Sequence, residues 1–445
     1  MFRKLTHIMM VVSLLHLYGC GDETSAEKGP ELPASGQANS SVIYEANPKL
    51  FAERESLKAI EGRLDDIREL GADILWLMPI YEPGSLNAIG SPYCVRDYEA
   101  VNPDYGTLAD LQSLVATAHG MGMKVILDWV ANHTSWDNAW ITDHKEWYTQ
   151  DAGGNIISPE GMGWSDVADL NFDNAEMRRA MIDAMSYWIR EADVDGFRCD
   201  YAEGVPLDFW QEAIDALHDE KSDLLMLAEG GESQLYGAGF DLVYGWSFAS
   251  ELEQLFKGSA TAAELFETHL EEYRDIPDGK WRMRYSTNHD LASTASPITT
   301  YGGRDAALSA FVIATMLPGV PMVYSSQEIG YGQALSFFNN NVLDWDSEPE
   351  YRARYQAILS AYRQTAQVRG GTLKSYSMTG AMAFSYQTSD GSLLLVIASL
   401  SDQPQTVKTP MERVGDTLTD LIDGGSVTLS SVLELDPYQY LILKK

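Results

Sequence analysis

The sequence predicts an α/β fold: a closed (β/α)8 TIM barrel with a short insert after its third strand, followed by a C-terminal antiparallel β-sandwich domain. Between residues 42 and 370, short apolar runs alternate eight times with stretches of helical periodicity. That alternation is typical of parallel strands and their crossover helices. After Gly371 the chain changes to short alternating runs, which predict an antiparallel β-domain over residues 371–445. A doubly wound open sheet is the competing layout, but no GxGxxG follows the first strand.

The N-terminus predicts a signal peptide over residues 1–19. Two basic residues, Arg3 and Lys4, precede an apolar run over 8–17 that is too short to span a bilayer permanently. The following Leu-Tyr-Gly-Cys resembles a bacterial lipoprotein cleavage site, which would make Cys20 the lipidated first residue. Residues 20–41 are rich in Gly, Ser, Pro and Glu, which predicts a flexible tether. The expected location is therefore a membrane-anchored lipoprotein, periplasmic or on the cell surface.

Apolar runs and helical spacing place the elements of the barrel. Predicted strands are 41–45, 74–80, 124–130, 196–201, 224–229, 241–246, 282–286 and 321–325. Predicted helices are 53–70, 108–119, 175–192, 207–218, 262–273, 304–317 and 351–368. Thr261 is an expected N-cap. The region 132–170, rich in Trp, Asp and Gly, is interpreted as a small insert over the barrel mouth.

Composition narrows the class of partner. The 445 residues have 45% hydrophobic content, enough for a barrel and a second domain. The formal charge of −34 argues against a nucleic-acid partner and is compatible with a neutral substrate, although a solvated acidic surface is the more common cause of such a charge. Beyond the predicted signal peptide and Cys20 only Cys94 and Cys199 remain, so no disulfide framework is expected.

Polar residues follow the strands at the barrel end where active sites form. Asp128 to His133 end the third strand, and Asp200 follows the fourth. Glu229 follows the fifth strand, and Asp290 follows the seventh. Three carboxylates, Asp200, Glu229 and Asp290, are therefore expected to converge on one mouth.

Two such carboxylates suffice for retaining glycoside hydrolysis, in which one attacks the anomeric carbon and the other protonates the leaving oxygen. Arg198 lies two residues before Asp200 and is expected to keep that residue ionised, as a nucleophile must be. Glu229 follows an apolar run, so a less polar environment and a higher pKa are expected for it.

These stretches resemble the signature regions of the α-amylase family, glycoside hydrolase family 13, in the family's order. They are Asp128 to His133, Gly196 to Asp200, Glu229, and Asn288 to Asp290, and the resemblance extends over residues 42–445. It implies that Asp200 is the nucleophile, Glu229 the acid/base and Asp290 the third carboxylate. It also implies that Arg198, His133 and His289 hold the sugar whose bond is cut. Tyr93 would be the stacking platform for that sugar.

Each substrate-binding assignment has a structural alternative. A lone His is more often a satisfied structural residue, but His133 and His289 lie beside other polar residues at strand ends, which favours binding. Tyr93 could instead pack locally. Several tryptophans could be sugar platforms, although any single one is more often part of the core. They are Trp129, Trp136, Trp164 and Trp246.

The resemblance leaves the metal site open. The chain has Tyr201-Ala202-Glu203-Gly204 where secreted amylases of the family often carry Lys-His, which weakens the calcium site those enzymes build. Asn132 and an acidic residue of the insert such as Asp166 could still hold Ca²⁺ through oxygen ligands. No organic cofactor is expected.

The expected function is retaining hydrolysis of α-1,4 bonds in starch-type glucans or malto-oligosaccharides, by an α-amylase-type lipoprotein. Two alternatives stay open at this point. One is a transglycosidase, in which a sugar hydroxyl replaces water. The other is a non-catalytic glycan-binding protein on a decayed barrel, against which the three carboxylates argue.

Overall fold

A computed structural model describes residues 28–32 and 39–445, and its centre is a closed barrel of eight parallel strands. The last strand pairs with the first, so the sheet has no free edge. The barrel strands are Ile43–Ala46, Ile74–Leu77, Lys124–Trp129, Gly196–Cys199, Leu225–Ala228, Leu242–Tyr244, Trp281–Arg284 and Val320–Tyr324. All eight predicted strands are confirmed, although most are shorter than predicted. The signal peptide and Cys20 lie outside the described residues.

The outer ring consists of helices that follow the strands. The long ones are Leu108–Gly120, Ala175–Ala192, Leu207–Glu220, Trp246–Phe256, Ala262–Tyr273, Arg304–Met316 and Pro349–Gln364. Shorter ones are Ser56–Glu61, Leu64–Leu70, Trp140–Asp143, Gln234–Gly237, His289–Thr294, Pro297–Tyr301 and Ala366–Arg369. Thr261 caps its helix as predicted, in a capping box with Glu264.

Two predicted helices and one predicted strand need correction. The predicted helix 53–70 is two helices, because the chain turns at Gly62 and Arg63 between them. The predicted helix 351–368 ends at Gln364, since the Thr365 hydroxyl binds the carbonyls of Ala361 and Tyr362 at the helix end. The predicted strand 241–246 stops at Tyr244, and a helix that was not predicted starts at Trp246.

Two small hairpin-like sheets stand over the barrel mouth. His133–Ser135 pairs with Val167–Asp169 and closes the base of the insert predicted over 132–170. Tyr81–Pro83 pairs with Val95–Val101 in the connection after the second barrel strand. The two cysteines, Cys94 and Cys199, are buried and unpaired.

The C-terminal domain is the predicted antiparallel sandwich. Its strands are Thr372–Met378, Ala381–Gln387, Leu393–Ser399, Gln405–Lys408, Thr417–Asp420, Ser426–Thr428, Val432–Leu435 and Tyr440–Lys444. Leu393–Ser399 is buried on both faces: Leu394 and Val396 join the barrel core, while Leu395 and Ile397 join a second cluster inside the domain. The domain is thus packed firmly onto the barrel.

The N-terminal segment corrects one prediction. Lys28–Leu32 forms a strand that pairs antiparallel with Thr372–Met378 at the edge of the large sheet. Five residues of the predicted flexible tether therefore belong to the C-terminal sheet. None of the helices in residues 28–32 and 39–445 is long and apolar enough to cross a membrane.

Gly196 is required where the fourth barrel strand meets the fifth. Its φ is +142°, and a Cβ there would lie 2.0 Å from the Leu225 carbonyl oxygen. We expect Gly196→Ala to lower the free energy of unfolding by at least about 3 kcal/mol, because the clash is with backbone and the conformation disfavours L side chains. Urea denaturation measures the change.

Gly120→Ala is the matched control, since nothing lies within 4 Å of a Cβ at that helix end. We expect it to leave stability unchanged or raise it by up to about 1 kcal/mol. Equal effects of the two substitutions would contradict the steric argument.

Candidate active site

The three predicted carboxylates meet at one cavity of about 270 Å³ at the carboxyl ends of the barrel strands. Asp200 directly follows the fourth strand and Glu229 the fifth, while Asp290 lies in the helix His289–Thr294 after the seventh. The other lining residues are Ile89, Ser91, Tyr93, His133, Trp164, Asp166, Val167, Tyr201, Trp246, His289, Phe337 and Phe338. The cavity thus brings together all the predicted catalytic and sugar-binding residues except Arg198, which lies beneath it. Asn132, named for calcium, does not line the cavity.

Arg198 is the fully buried floor of the site. Its Nη1 lies 2.7 Å from Asp128 Oδ1 and 2.9 Å from Asp200 Oδ1, and its Nη2 lies 2.9 Å from Glu229 Oε2. The Nη2 contact is an ion pair without hydrogen-bond alignment. Glu229 Oε2 instead accepts a hydrogen bond from the Tyr201 N–H at 2.7 Å. Adjacent nitrogens of one guanidinium therefore fix Asp200 and Glu229 close to each other at the floor of the cavity.

The prediction that Glu229 lies in a less polar environment than Asp200 is wrong. Their side chains are almost equally exposed, 13% for Asp200 and 15% for Glu229, and both contact Arg198. Burial and the charge of Glu229 raise the pKa of Asp200 well above its usual range, against the lowering effect of Arg198. The sequence showed the nearby arginine but not that one guanidinium contacts three carboxylates, Asp128, Asp200 and Glu229. The environment alone does not assign their roles.

His289 is held as an imidazolium. Its Nδ1 lies 2.5 Å from Glu45 Oε1, and its Nε2 lies 2.9 Å from the Tyr93 hydroxyl and 3.5 Å from Asp290 Oδ1. Although burial opposes the charge, the Asp290 and Glu45 carboxylates outweigh it and raise the pKa of His289 to about 9. Both ring nitrogens then donate, to Glu45 and to the Tyr93 oxygen.

Tyr93 connects this histidine to the floor. Its hydroxyl donates to Asp128 Oδ2 at 3.1 Å, and its ring stacks on His289 with centroids 5.5 Å apart. The ring lines the cavity but is only slightly exposed. Its position fits both local packing and contact with a sugar, so its role as a platform stays a prediction.

His133 differs from His289 in its charge. Burial lowers its pKa to about 4, so the ring is neutral at pH 7. Its Nε2 lies 3.2 Å from the Tyr93 carbonyl and carries the proton, while Nδ1 lies 3.4 Å from the Asn132 amide nitrogen and accepts. The two histidines therefore offer the cavity one neutral ring and one cation.

The residues named for calcium do not form a carboxylate-rich pocket. The Asn132 amide nitrogen faces His133. Across residues 28–32 and 39–445, no group of three or more His, Cys, Asp or Glu side chains is arranged to hold a metal ion. Calcium stays a prediction that these contacts do not favour, and no chemical step below depends on it.

Several residues of the site were not predicted. Asp128 was noted only as part of a motif, yet it binds Arg198, Tyr93 and the Trp76 indole. Glu45 is the next-to-last residue of the apolar first strand, and an acid near the end of an apolar run was the signal available. The neighbouring wall residues Phe337 and Phe338 lie in a loop with no recognisable motif.

The tryptophans divide between core and cavity. Trp129 is fully buried in the core, as the structural alternative expects. Trp164 and Trp246 instead line the cavity, and Trp246 is 39% exposed. Trp136 is not among the lining residues and donates its indole N–H to the Ser165 carbonyl. Trp164 and Trp246 are therefore available for contact with a sugar face.

The charge on His289 can be measured directly. We expect one histidine ¹³C signal to titrate near pH 9 and to vanish in His289→Gln. The pKa of His289 in the folded protein lies above the unfolded value of about 6.5. Protonation of His289 therefore stabilises the fold fully below about pH 6.5, and this contribution to the free energy of unfolding is lost as pH rises through about 9. His133 is the internal control, because it should not titrate between pH 6 and 9. Titration of every histidine below pH 7.5 would contradict the assignment.

Comparison with known proteins agrees with this geometry. The family model for the α-amylase catalytic domain matches residues 45–155 and 162–350. The α-amylase MalA of Haloarcula japonica is 30% identical over 428 residues, which cover 91% of this chain and 61% of that relative.

Solved structures show the same architecture. An α-amylase from Lactobacillus plantarum superposes with a TM-score of 0.81 at 29% identity, covering 91% of this chain and 99% of that one. A noncanonic maltogenic α-amylase, AmyB from Thermotoga neapolitana, gives 0.80 at 26% identity, covering 91% and 98%. The chain belongs to the α-amylase family of glycoside hydrolases, and its barrel is the catalytic domain of that family.

Proposed function

We propose that this enzyme hydrolyses α-1,4-glucosidic bonds of starch-type glucans or malto-oligosaccharides through a covalent glycosyl–Asp200 intermediate. The observation that carries the proposal is the pairing of Asp200 and Glu229 on adjacent nitrogens of Arg198, facing one cavity. The similarity to an amylase described as maltogenic supports the substrate class. A neutral glucan also suits a site whose free carboxylates would repel an anion.

In the first step Asp200 attacks the anomeric carbon while a protonated Glu229 gives its proton to the glycosidic oxygen, and the bond to the leaving sugar breaks. In the second step Glu229 takes a proton from water, the water oxygen attacks the anomeric carbon, and the ester bond to Asp200 breaks. Two inversions at one carbon retain its configuration.

The raised pKa of Asp200 is compatible with this sequence. The charge of one carboxylate makes it harder for its close neighbour to ionise, and the mechanism requires that Asp200 be the ionised member of the pair when the substrate reacts. Once Asp200 is an ester it carries no charge, so an ionised Glu229 has one like-charged neighbour fewer and can act as the base. Asp290, whose side chain is half exposed in the cavity, would accept hydrogen bonds from sugar hydroxyls.

Transfer to a sugar hydroxyl uses the same intermediate and is the second candidate. Product analysis separates the two: hydrolysis gives only shorter oligosaccharides, whereas transfer at high substrate concentration also gives longer ones. A glycan-binding protein without activity would give neither product.

The two carboxylate roles can be distinguished with azide. We expect Asp200→Ala to lower kcat on a maltosyl fluoride by on the order of 10⁴-fold. Glu229→Ala should retain more activity on this substrate, because fluoride leaves without needing a proton. Azide should restore Glu229→Ala and give the α-glycosyl azide, because it attacks the Asp200 ester in place of water.

The azide product from Asp200→Ala, if any forms, should have the β configuration, because azide then replaces the nucleophile and inverts once. If Asp200→Ala gave the α-azide and Glu229→Ala the β-azide, Glu229 would be the nucleophile and Asp200 the acid/base. Asp200→Ala with near-wild-type kcat would refute the mechanism.

We also propose that lipid on Cys20 anchors the enzyme to a membrane, periplasmic or at the cell surface. The Leu-x-Gly-Cys site and the short apolar run before it support this. We expect Cys20→Ser to move the protein from the membrane fraction to the soluble fraction, with kcat unchanged because the site is built from residues of the barrel. Immunoblotting of fractionated cells measures the shift, and an equally membrane-bound variant would contradict the anchor.

A further inference from the structure

An apolar rim borders the catalytic cavity at one side. It consists of Ile89, Phe337 and Phe338, all of which line the cavity. Ile89 is 59% exposed and Phe338 36% exposed. The rim comes from two separate loops: Ile89 follows Tyr81–Pro83, and the phenylalanines follow the last barrel strand. Its shape therefore depends on how these two loops are held together.

Lys49 joins the two loops with its ammonium group. It lies in the turn Pro48–Leu50 after the first barrel strand. Its Nζ donates to the carbonyl of Gly90 at 2.9 Å, of Phe337 at 3.0 Å and of Phe338 at 3.1 Å. An ammonium has three donors, and all three are used here. Burial lowers the pKa of Lys49 to about 8, which agrees with a group largely removed from water.

The phenylalanine loop has further attachments of its own. Asn341 N–H donates to the Lys49 carbonyl at 3.0 Å, and Leu343 N–H donates to the Leu50 carbonyl at 2.9 Å. Trp345 stacks on Phe51 with centroids 4.4 Å apart. These contacts involve main chain or other side chains, so they persist when the ammonium is removed.

The loop that carries Ile89 is attached differently. Its start is held by Asp137, which accepts hydrogen bonds from the Ser85 N–H at 2.9 Å and the Ser85 hydroxyl at 2.7 Å. Its end reaches the phenylalanine loop at Gly90, where a Cβ would lie only 3.1 Å from the Phe338 carbonyl oxygen. The Gly90 carbonyl is fixed there by Lys49.

We propose that Lys49 is a positioning residue that holds the apolar rim in place as a further contact surface for the glucan chain. The rim is continuous with the catalytic cavity, and its apolar side chains match the C–H faces of glucose units beyond the one whose bond is cut. The inference rests on the proposed function for the identity of this ligand. It makes Lys49 a determinant of substrate binding without contact with the reacting atoms.

Lys49→Met tests the proposal, because it keeps the aliphatic stem and removes the charge. We expect KM for maltoheptaose to rise on the order of tenfold, since three hydrogen bonds to a charged donor are lost, with kcat changed less than about twofold. Lys49→Arg should recover part of the loss, because it restores a charged donor. Lys58→Met is the matched control: its ammonium binds Glu55 on an exposed helix, and KM should not change.

Hydrogen exchange followed by mass spectrometry is an independent measurement on the same variants. In Lys49→Met, the amides of residues 85 and 86, which hydrogen-bond to Asp137 in the same loop, should exchange at least about threefold faster, while those of 341 and 343 remain protected by their own contacts. Unchanged exchange at residues 85 and 86 would overturn the proposal whatever the activity. Faster exchange with unchanged KM would show that the rim has no part in substrate binding. A fall in kcat without a rise in KM would also overturn the proposal.

The exchange measurement separates this inference from the proposed function. A wild-type enzyme that does not cut maltoheptaose refutes the proposed substrate and, with it, the glucan as ligand of the rim. Exchange would still show whether Lys49 holds the two loops.

Discussion

The buried guanidinium of Arg198 is the constraint on which the site depends. A buried cation is stable only when it is paired, and Arg198 is paired with three carboxylates at once. It is therefore part of a cluster with more acids than cations. Asp128, Asp200 and Glu45 all have raised pKa values because of burial, despite the cations beside them. Burial therefore favours the protonated form of carboxyl groups in this cluster, and the proposed mechanism needs one protonated carboxyl group to serve the leaving oxygen.

The barrel explains why these groups meet. Residues from the first, third, fourth, fifth and seventh strands are far apart in sequence but share one end of a closed sheet. The approach of neighbouring strands is close enough that Gly196 cannot carry a side chain beside Leu225. The spacing of the carboxylates is thus set by the register of strands and by Arg198, and not by flexible loops.

The sequence predicted much of the fold because the strands are continuous apolar runs and their ends carry polar residues. It also located the three carboxylates, since each directly follows a strand or lies within a motif. It failed where an outcome depended on contacts between distant segments. The environment of Glu229 depends on Arg198 and Tyr201, which no local pattern shows. The strand at Lys28–Leu32 likewise exists through pairing with a sheet more than 300 residues away.

The loops at the rim of the site are held by a different kind of interaction from the floor. The floor is fixed by charges that cannot be removed singly, because each loss leaves a buried partner uncompensated. The rim is held by hydrogen bonds from one lysine to neutral carbonyls, whose loss leaves no buried counter-charge. Under the proposal for Lys49, substitutions there alter substrate binding without removing a partner of the buried charges. The proposal thus assigns substrate binding at the rim and chemistry at the floor to different kinds of interaction.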